Sequence, residues 1–301
     1  MHKALTVTFA TASCTLLLTS CAGRSGGDAR PATLRAQRAA AAVAWPEQKV
    51  TAGLAKGRVL PVERYLETYP QLVTVQAAKN KAVKACMARF GQDFNPPQPG
   101  LNPPSGGYDA ANMKRRYGLT DSAEAEKHGY AATTMPNGPV GTYDLDSPEA
   151  NLAYDLEVPA GEKVPESLNG RKLPEKGCLG EADRAIGTFD DSLAEKINLD
   201  SFATFRNDPG VKDVTTDWSA CLKKDGFAEP DPLTAINRST AADRKQAAAD
   251  IACKKSTDLV PVYFAAEVRI QNAAISRLKD ELEAQKAKNS AVVAKAETYL
   301  D

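Results

Sequence analysis

Aromatic side chains are scarce in this chain: Phe, Trp and Tyr together make up 6% of its 301 residues. A large β-sandwich asks for more aromatic and β-branched residues, so abundant alanine favours close-packed helices instead. Histidine is scarcer still, with His2 and His128 the two in the sequence. A zinc site is therefore poorly supplied. A Ser/His/Asp site would have to use His128, with no serine on a strand-to-helix elbow to go with it. Net charge is also missing, since 38 basic side chains balance 38 acidic ones with the signs interspersed. Such a balance leaves no electrostatic footprint for nucleic acid or for gripping anionic lipid by charge. Calcium-loop, phosphate-loop and dinucleotide fingerprints do not occur. Carboxylate pairs stand at Asp144/Asp146 and Asp190/Asp191. A glycosidase needs two placed acids, but spacing alone does not identify them, and solvated surface acids are far commoner. No catalytic residue, metal ligand or cofactor is assigned.

Long apolar runs are absent too, apart from one at the N-terminus. Ala4–Leu18 follows Met1-His2-Lys3 and is shorter than the roughly 20 residues of a membrane span. It ends in Leu18-Thr19-Ser20-Cys21, then Gly23-Arg24-Ser25-Gly26-Gly27-Asp28. Hydrophobic-small-small-Cys after such a segment is the bacterial lipobox. Residues 1–20 are thus expected to be a lipoprotein signal peptide, and Cys21 the lipid-modified first residue of the mature protein. Two or more acyl chains give stable attachment, so the chain is expected on the outer face of the cytoplasmic membrane. Residues 21–58 read as a flexible tether. Order is expected to begin near Leu60-Pro61.

Four cysteines remain for the exported body: Cys86, Cys178, Cys221 and Cys253. An even number in an exported chain predicts two disulfides with three connectivities open. Cys86–Cys178 with Cys221–Cys253 is favoured, because a bridge across a long insert is best placed at its ends. Cys86–Cys253 with Cys178–Cys221 remains the alternative.

Residues 59–301 read as a mainly α, disulfide-stapled helical bundle. A helix is expected over 70–90, where Leu72, Val75, Val83, Cys86, Met87 and Phe90 recur at helical spacing and Gly91 stops the run. Residues 92–177 read as a loop-rich insert, full of Pro, Gly and Asn, with a short helix at 122–128. Tyr154, Leu156 and Val158 alternate with Asp155 and Glu157, a strand signal that Tyr143-Asp144-Leu145 would partner. Asn169-Gly170 marks a turn. Further helices are expected over 181–197, 200–205 and 241–255. Asp208-Pro209 and Asp231-Pro232 are start signals, acid as cap and proline at the first turn.

The last segment, 258–301, reads as one long coiled-coil-like helix. Its stripe runs through Phe264, Val268, Gln271, Ile275, Leu278, Leu282, Gln285, Asn289, Val292, Ala296 and Tyr299. Own-chain packing is expected near Phe264–Leu282. Val292, Ala296 and Tyr299 are the expected exposed end, available to an envelope protein or transporter partner.

Cys86-Met87-Ala88-Arg89-Phe90-Gly91 and Cys221-Leu222-Lys223-Lys224-Asp225-Gly226 share the form Cys-apolar-three-Gly. With LPVERYLETYPQLVTVQAAKNKAVKACMARFG (60–91), RRYGL (115–119), GCLGEADRAI (177–186), WSACLKKDGF (218–227) and ADIACKKSTDL (249–259), the chain resembles secreted and lipid-anchored proteins common in actinobacteria. The resemblance implies extracytoplasmic placement and a helical, disulfide-bonded body, and it carries no catalytic residues. A lipid-anchored binding or scaffolding protein of the envelope is the expected function. The alternatives are a solute-binding lipoprotein of a transporter, whose two lobes would show strand-helix alternation, and an envelope hydrolase.

Overall fold

Side chains that replace a missing helical turn decide where several helices begin. Thr68 and Gln71 form a capping box, with the Thr68 N–H donating to Gln71 Oε1 at 2.8 Å, and open α1 (Tyr69–Arg89). Asp121 caps Ser122–His128 through the Ala123 N–H, and Ser147 caps Pro148–Asp155 through the Ala150 N–H. Asp208 accepts from the N–H groups of Gly210 and Val211 and opens Pro209–Lys224 with proline in its first turn. Each cap satisfies backbone donors that a helix start would otherwise strand.

The computed structural model describes residues 49–96, 99–100, 111–131, 145, 147–234 and 244–301. The signal peptide, Cys21, most of the tether and the Asp144/Asp146 pair fall outside these residues. After a 3-10 turn at Pro61–Tyr65, the helices run in order: α1, α2 (Met113–Arg116), α3 (Ser122–His128), α4 (Pro148–Asp155), α5 (Gly177–Ile186), α6 (Ser192–Thr204), α7 (Pro209–Lys224), α8 (Arg244–Ser256), α9 (Leu259–Arg277) and α10 (Lys279–Leu300). One antiparallel hairpin, β1 (Ser167–Leu168) with β2 (Arg171–Lys172), turns on Asn169-Gly170. The protein is mainly helical, as its composition predicts.

The main core gathers α7, α8 and α9 around Trp218, Tyr263, Phe205 and Tyr117, with Ala55 and Leu60 sealing one side. Order thus begins earlier than expected. Ala55 is fully buried, and the Leu54 N–H donates to the Thr120 carbonyl at 3.0 Å, so the last ten residues of the expected tether belong to the body. Gly53 there has φ +74°, and a Cβ on it would stand 2.6 Å from Thr120 O. A second core joins the C-terminal half of α1 to α4 and α5.

Both disulfides adopt the favoured pairing, Cys86–Cys178 and Cys221–Cys253. The first ties the last turn of α1 to the first turn of α5; the second joins α7 to α8. The two Cys-apolar-three-Gly segments also end alike. Gln92 N–H donates to Met87 O and Phe227 N–H to Leu222 O, each at 3.1 Å, around glycines with φ of +73° and +88°.

Three expectations are corrected. Tyr154 lies on α4 and not on a strand, since the Ser147 cap and Pro148 start a helix that Leu156 ends in the left-handed region at φ +70°. Tyr143 and Asp144 lie outside the described residues. The 181–197 helix is two helices parted at Gly187–Asp191, where Gly187 has φ +103° and a Cβ would meet Val292 Cγ2 at 2.8 Å. The C-terminal helix breaks at Leu278 (φ −115°, ψ 27°) into α9 and α10. The Leu278 N–H still donates to Ala274 O, and Leu278 O accepts from the Leu282 N–H, so hydrogen bonding runs through the break of this long C-terminal helical segment.

Candidate functional site

Charged residues on apolar stripes are the feature that sets this core apart. Glu267 sits in the middle of α9, fully buried, and faces Arg116 at the end of α2. Arg116 Nε donates to both carboxylate oxygens at 3.0 and 2.9 Å. Tyr117 OH donates to Oε2 at 2.7 Å, and the Ser201 hydroxyl lies 2.9 Å from Oε1. Gln271 Nε2 donates to Ser201 Oγ, while the Val62 N–H donates to Gln271 Oε1. One carboxylate thereby links α2, α6, α9 and the 61–65 turn. Burial and the Glu267 charge together push the Tyr117 hydroxyl well above its ordinary value. Arg116 Nη2 also donates to Oε1; its remaining bonds go to Ala111 O (2.8 Å) and Asn198 O (3.0 Å), and the guanidinium lies 4.9 Å from the Phe202 ring centre.

A second ion pair lies on α8. Lys254 Nζ is 3.0 Å from Asp250 Oδ2 one turn away, and both side chains are fully buried. Trp218 Nε1 donates to Asp250 Oδ1 at 2.9 Å, and Lys254 donates to Leu119 O at 2.8 Å. Burial pushes the carboxyl up and the ammonium down, and the charge of each partner pulls the other back toward its ordinary value. Both pairs spend their polar atoms on one another, which is the arrangement of structural locks.

The third cluster forms where α6 begins against α10. Asn289 Nδ2 donates to Glu67 Oε1 at 2.7 Å and to Asp191 Oδ1 at 3.0 Å, and the Asp190 N–H donates to Asn289 Oδ1 at 2.9 Å. Glu67 Oε2 is buried without an N–H partner. A proton satisfies it by making Glu67 a donor to Asp191. Burial first, then the hydrogen bond and charge of Asp191, raise the Glu67 carboxyl from 4.5 to about 8. Folded protein therefore holds a proton that unfolded protein releases between those values, and stability falls as pH rises through this window. Glu67→Gln keeps the hydrogen-bonding shape without the proton. Its melting temperature should gain on that of the parent steadily from pH 4.5 to pH 8, and a constant difference would refute the shared proton.

Three arginines line one polar hollow. Arg115, Arg116 and Arg206 face a cleft of about 440 Å³ together with Ala111, Asn112, Phe202, Leu233 and Thr234. A second hollow of about 370 Å³, at the Leu278 kink, is lined chiefly by aliphatic side chains such as Leu193, Ile197, Ile270 and Leu278.

The residues singled out in the sequence fall elsewhere. Val292 is 6% exposed and Ala296 fully buried, both packed with Val75, Ala78 and Ile186, which corrects their expected exposure. The α10 stripe continues straight into α1, so own-chain packing does not stop at Leu282. Tyr299 is 36% exposed, with Lys81 Nζ donating to its carbonyl at 2.8 Å. His128 ends α3, and its ring bonds no serine or acid among the described residues. Asp190 and Asp191 do not form a pair facing a cleft; Asp191 turns to Glu67 and Asp190 to Lys288. The buried Arg116, Glu267, Asp250 and Lys254 were not singled out. Asp250 and Lys254 carry a local signal, one turn apart beside Ile251 and Cys253; Arg116 and Glu267 carry none. No family model, curated protein or solved structure matches the chain.

Proposed function

We propose that the chain is an exported helical binding or scaffolding protein of the cell envelope, anchored by lipid on Cys21 to the outer face of the cytoplasmic membrane. The observation that carries this is the lipobox Leu18-Thr19-Ser20-Cys21 at the head of a chain whose cysteines beyond it are all spent in two disulfides. Disulfides of this kind belong to oxidising compartments. No helix among the described residues is long and apolar enough to cross a membrane.

A binding role is preferred to catalysis because the buried charges are consumed by one another. The solute-binding alternative is weakened by the fold, whose described residues carry a single two-stranded hairpin where that class needs alternating strands and helices. Cys21→Ser tests the anchor. Cells fed a clickable fatty acid should label the parent protein and leave the variant unlabelled, either released or unprocessed. Continued acylation and membrane retention of Cys21→Ser would overturn the reading.

A further inference from the structure

We propose that the cleft between α2, α6 and the 233–234 turn is a binding site for a small organic monocarboxylate carrying an apolar body. The inference rests on the cleft alone, so it stands or falls separately from the lipid anchor.

Of the described residues lining the cleft, three are arginines and none is acidic. Their counter-charges lie behind the wall: Glu267 with Arg116, Glu124 with Arg115, and Asp231 with Arg206. Glu124 is shared, since Lys114 Nζ also approaches it at 2.5 Å. Among the described residues, the three arginines and Lys114 meet three carboxylates, a local excess of one positive charge. The three guanidiniums differ in how firmly they are held. Arg116, nine-tenths buried, is fixed by Glu267 through Nε and Nη2, by Asn198 O through Nη2 and by Ala111 O through Nη1, which leaves one Nη1 N–H for the cleft without any ordering cost. Arg115 is partly desolvated and its charge is disfavoured by burial, a strain that an anion in the cleft relieves. Among the described residues Arg206 has only Asp231 as an ion-pair partner, at 3.8 Å, beyond hydrogen-bond reach. It is the loose member, free to close on a ligand.

Guanidinium forks match a planar carboxylate through two parallel N–H···O bonds. The other walls are apolar or mildly polar: Ala111, Phe202 and Leu233 on one hand, Asn112 and Thr234 on the other. A volume of about 440 Å³ lies within the roughly 300–1,000 Å³ of small-molecule pockets. A bare inorganic anion would leave the Phe202 and Leu233 surfaces wet. An acid with a ring or branched chain covers them.

The test titrates purified full-length protein in detergent with benzoate, benzyl alcohol and inorganic phosphate, read by calorimetry. Saturable benzoate binding is expected, with benzyl alcohol and phosphate each at least about tenfold weaker, the worth of one charge-assisted hydrogen bond. Arg206→Gln, a half-exposed position whose melting temperature should stay within about 1 °C of the parent, should weaken benzoate by about tenfold or more. No saturable benzoate binding, equal binding by benzyl alcohol or phosphate, or unchanged benzoate affinity in Arg206→Gln would each overturn the site.

Discussion

Glu267→Leu should cost the folded protein about 3–5 kcal/mol, the loss expected when one partner of a buried, hydrogen-bonded ion pair is removed. The leucine fills the carboxylate's space, so the cost is not a cavity. It comes from Arg116, left charged among Ala111, Phe202 and Asn198, and from the Tyr117 hydroxyl, left without its acceptor, while the Ser201 hydroxyl keeps Asn198 O. Arg116→Met should cost a similar amount for the mirror reason. The double variant should lose far less than the sum, because an apolar pair of like volume removes both desolvation penalties together. Urea unfolding of the four proteins measures the coupling. Strict additivity would mean that Arg116 and Glu267 do not interact, and the centre of this core would have to be redrawn.

That residue also shows why part of the core was hidden in the sequence. Helix position was legible wherever a local cause fixes it: Asp208-Pro209 opens α7, Ser122–His128 stands where its pattern put it, and glycines 91 and 226 close α1 and α7. Both cysteine pairs followed from the chain's modular layout. Features with non-local causes were not legible. Glu267 reads as a surface acid until Arg116, 151 residues away, is brought against it. Gly187 looks tolerable inside a helix until Val292 occupies the space of its missing Cβ. Leu156 adopts a left-handed backbone without being glycine, so the end of α4 left no mark, and the alternation around it mimicked a strand. The kink at Leu278 has neither proline nor glycine to announce it.

The loop-rich insert changes meaning for the same reason. Proline and glycine mark its turns correctly, yet its residues 111–131 supply Arg116, Tyr117 and Leu119 to the main core. The Cys86–Cys178 bridge closes a segment that packing already holds at its centre, so the insert is a part of the fold. Its Arg115 and Arg116, adjacent on one short helix, are what turn a lock into a wall of the cleft.

Val292→Asp should destabilise the protein by about 3 kcal/mol or more, whereas Tyr299→Ala should stay within about 1 kcal/mol. Val292 packs with Ile186, Val75 and Ala78, and its Cγ2 fills the place a side chain at 187 would take. Val292 also lines a small surface hollow with Lys288 and Lys295, of which Lys288 is already paired with Asp190. The aspartate must therefore take up a proton, turn out of the apolar contact toward Lys295, or pull α10 from α1, and each course gives up the packing that valine makes. Tyr299 is different: its ring lies over solvent beside Lys81, and truncation removes a surface contact of small worth. Thermal unfolding at pH 7 separates the two cases. A Val292→Asp protein as stable as its parent would show that α10 does not depend on α1, and would return Val292 and Ala296 to the surface as a place for a partner to bind.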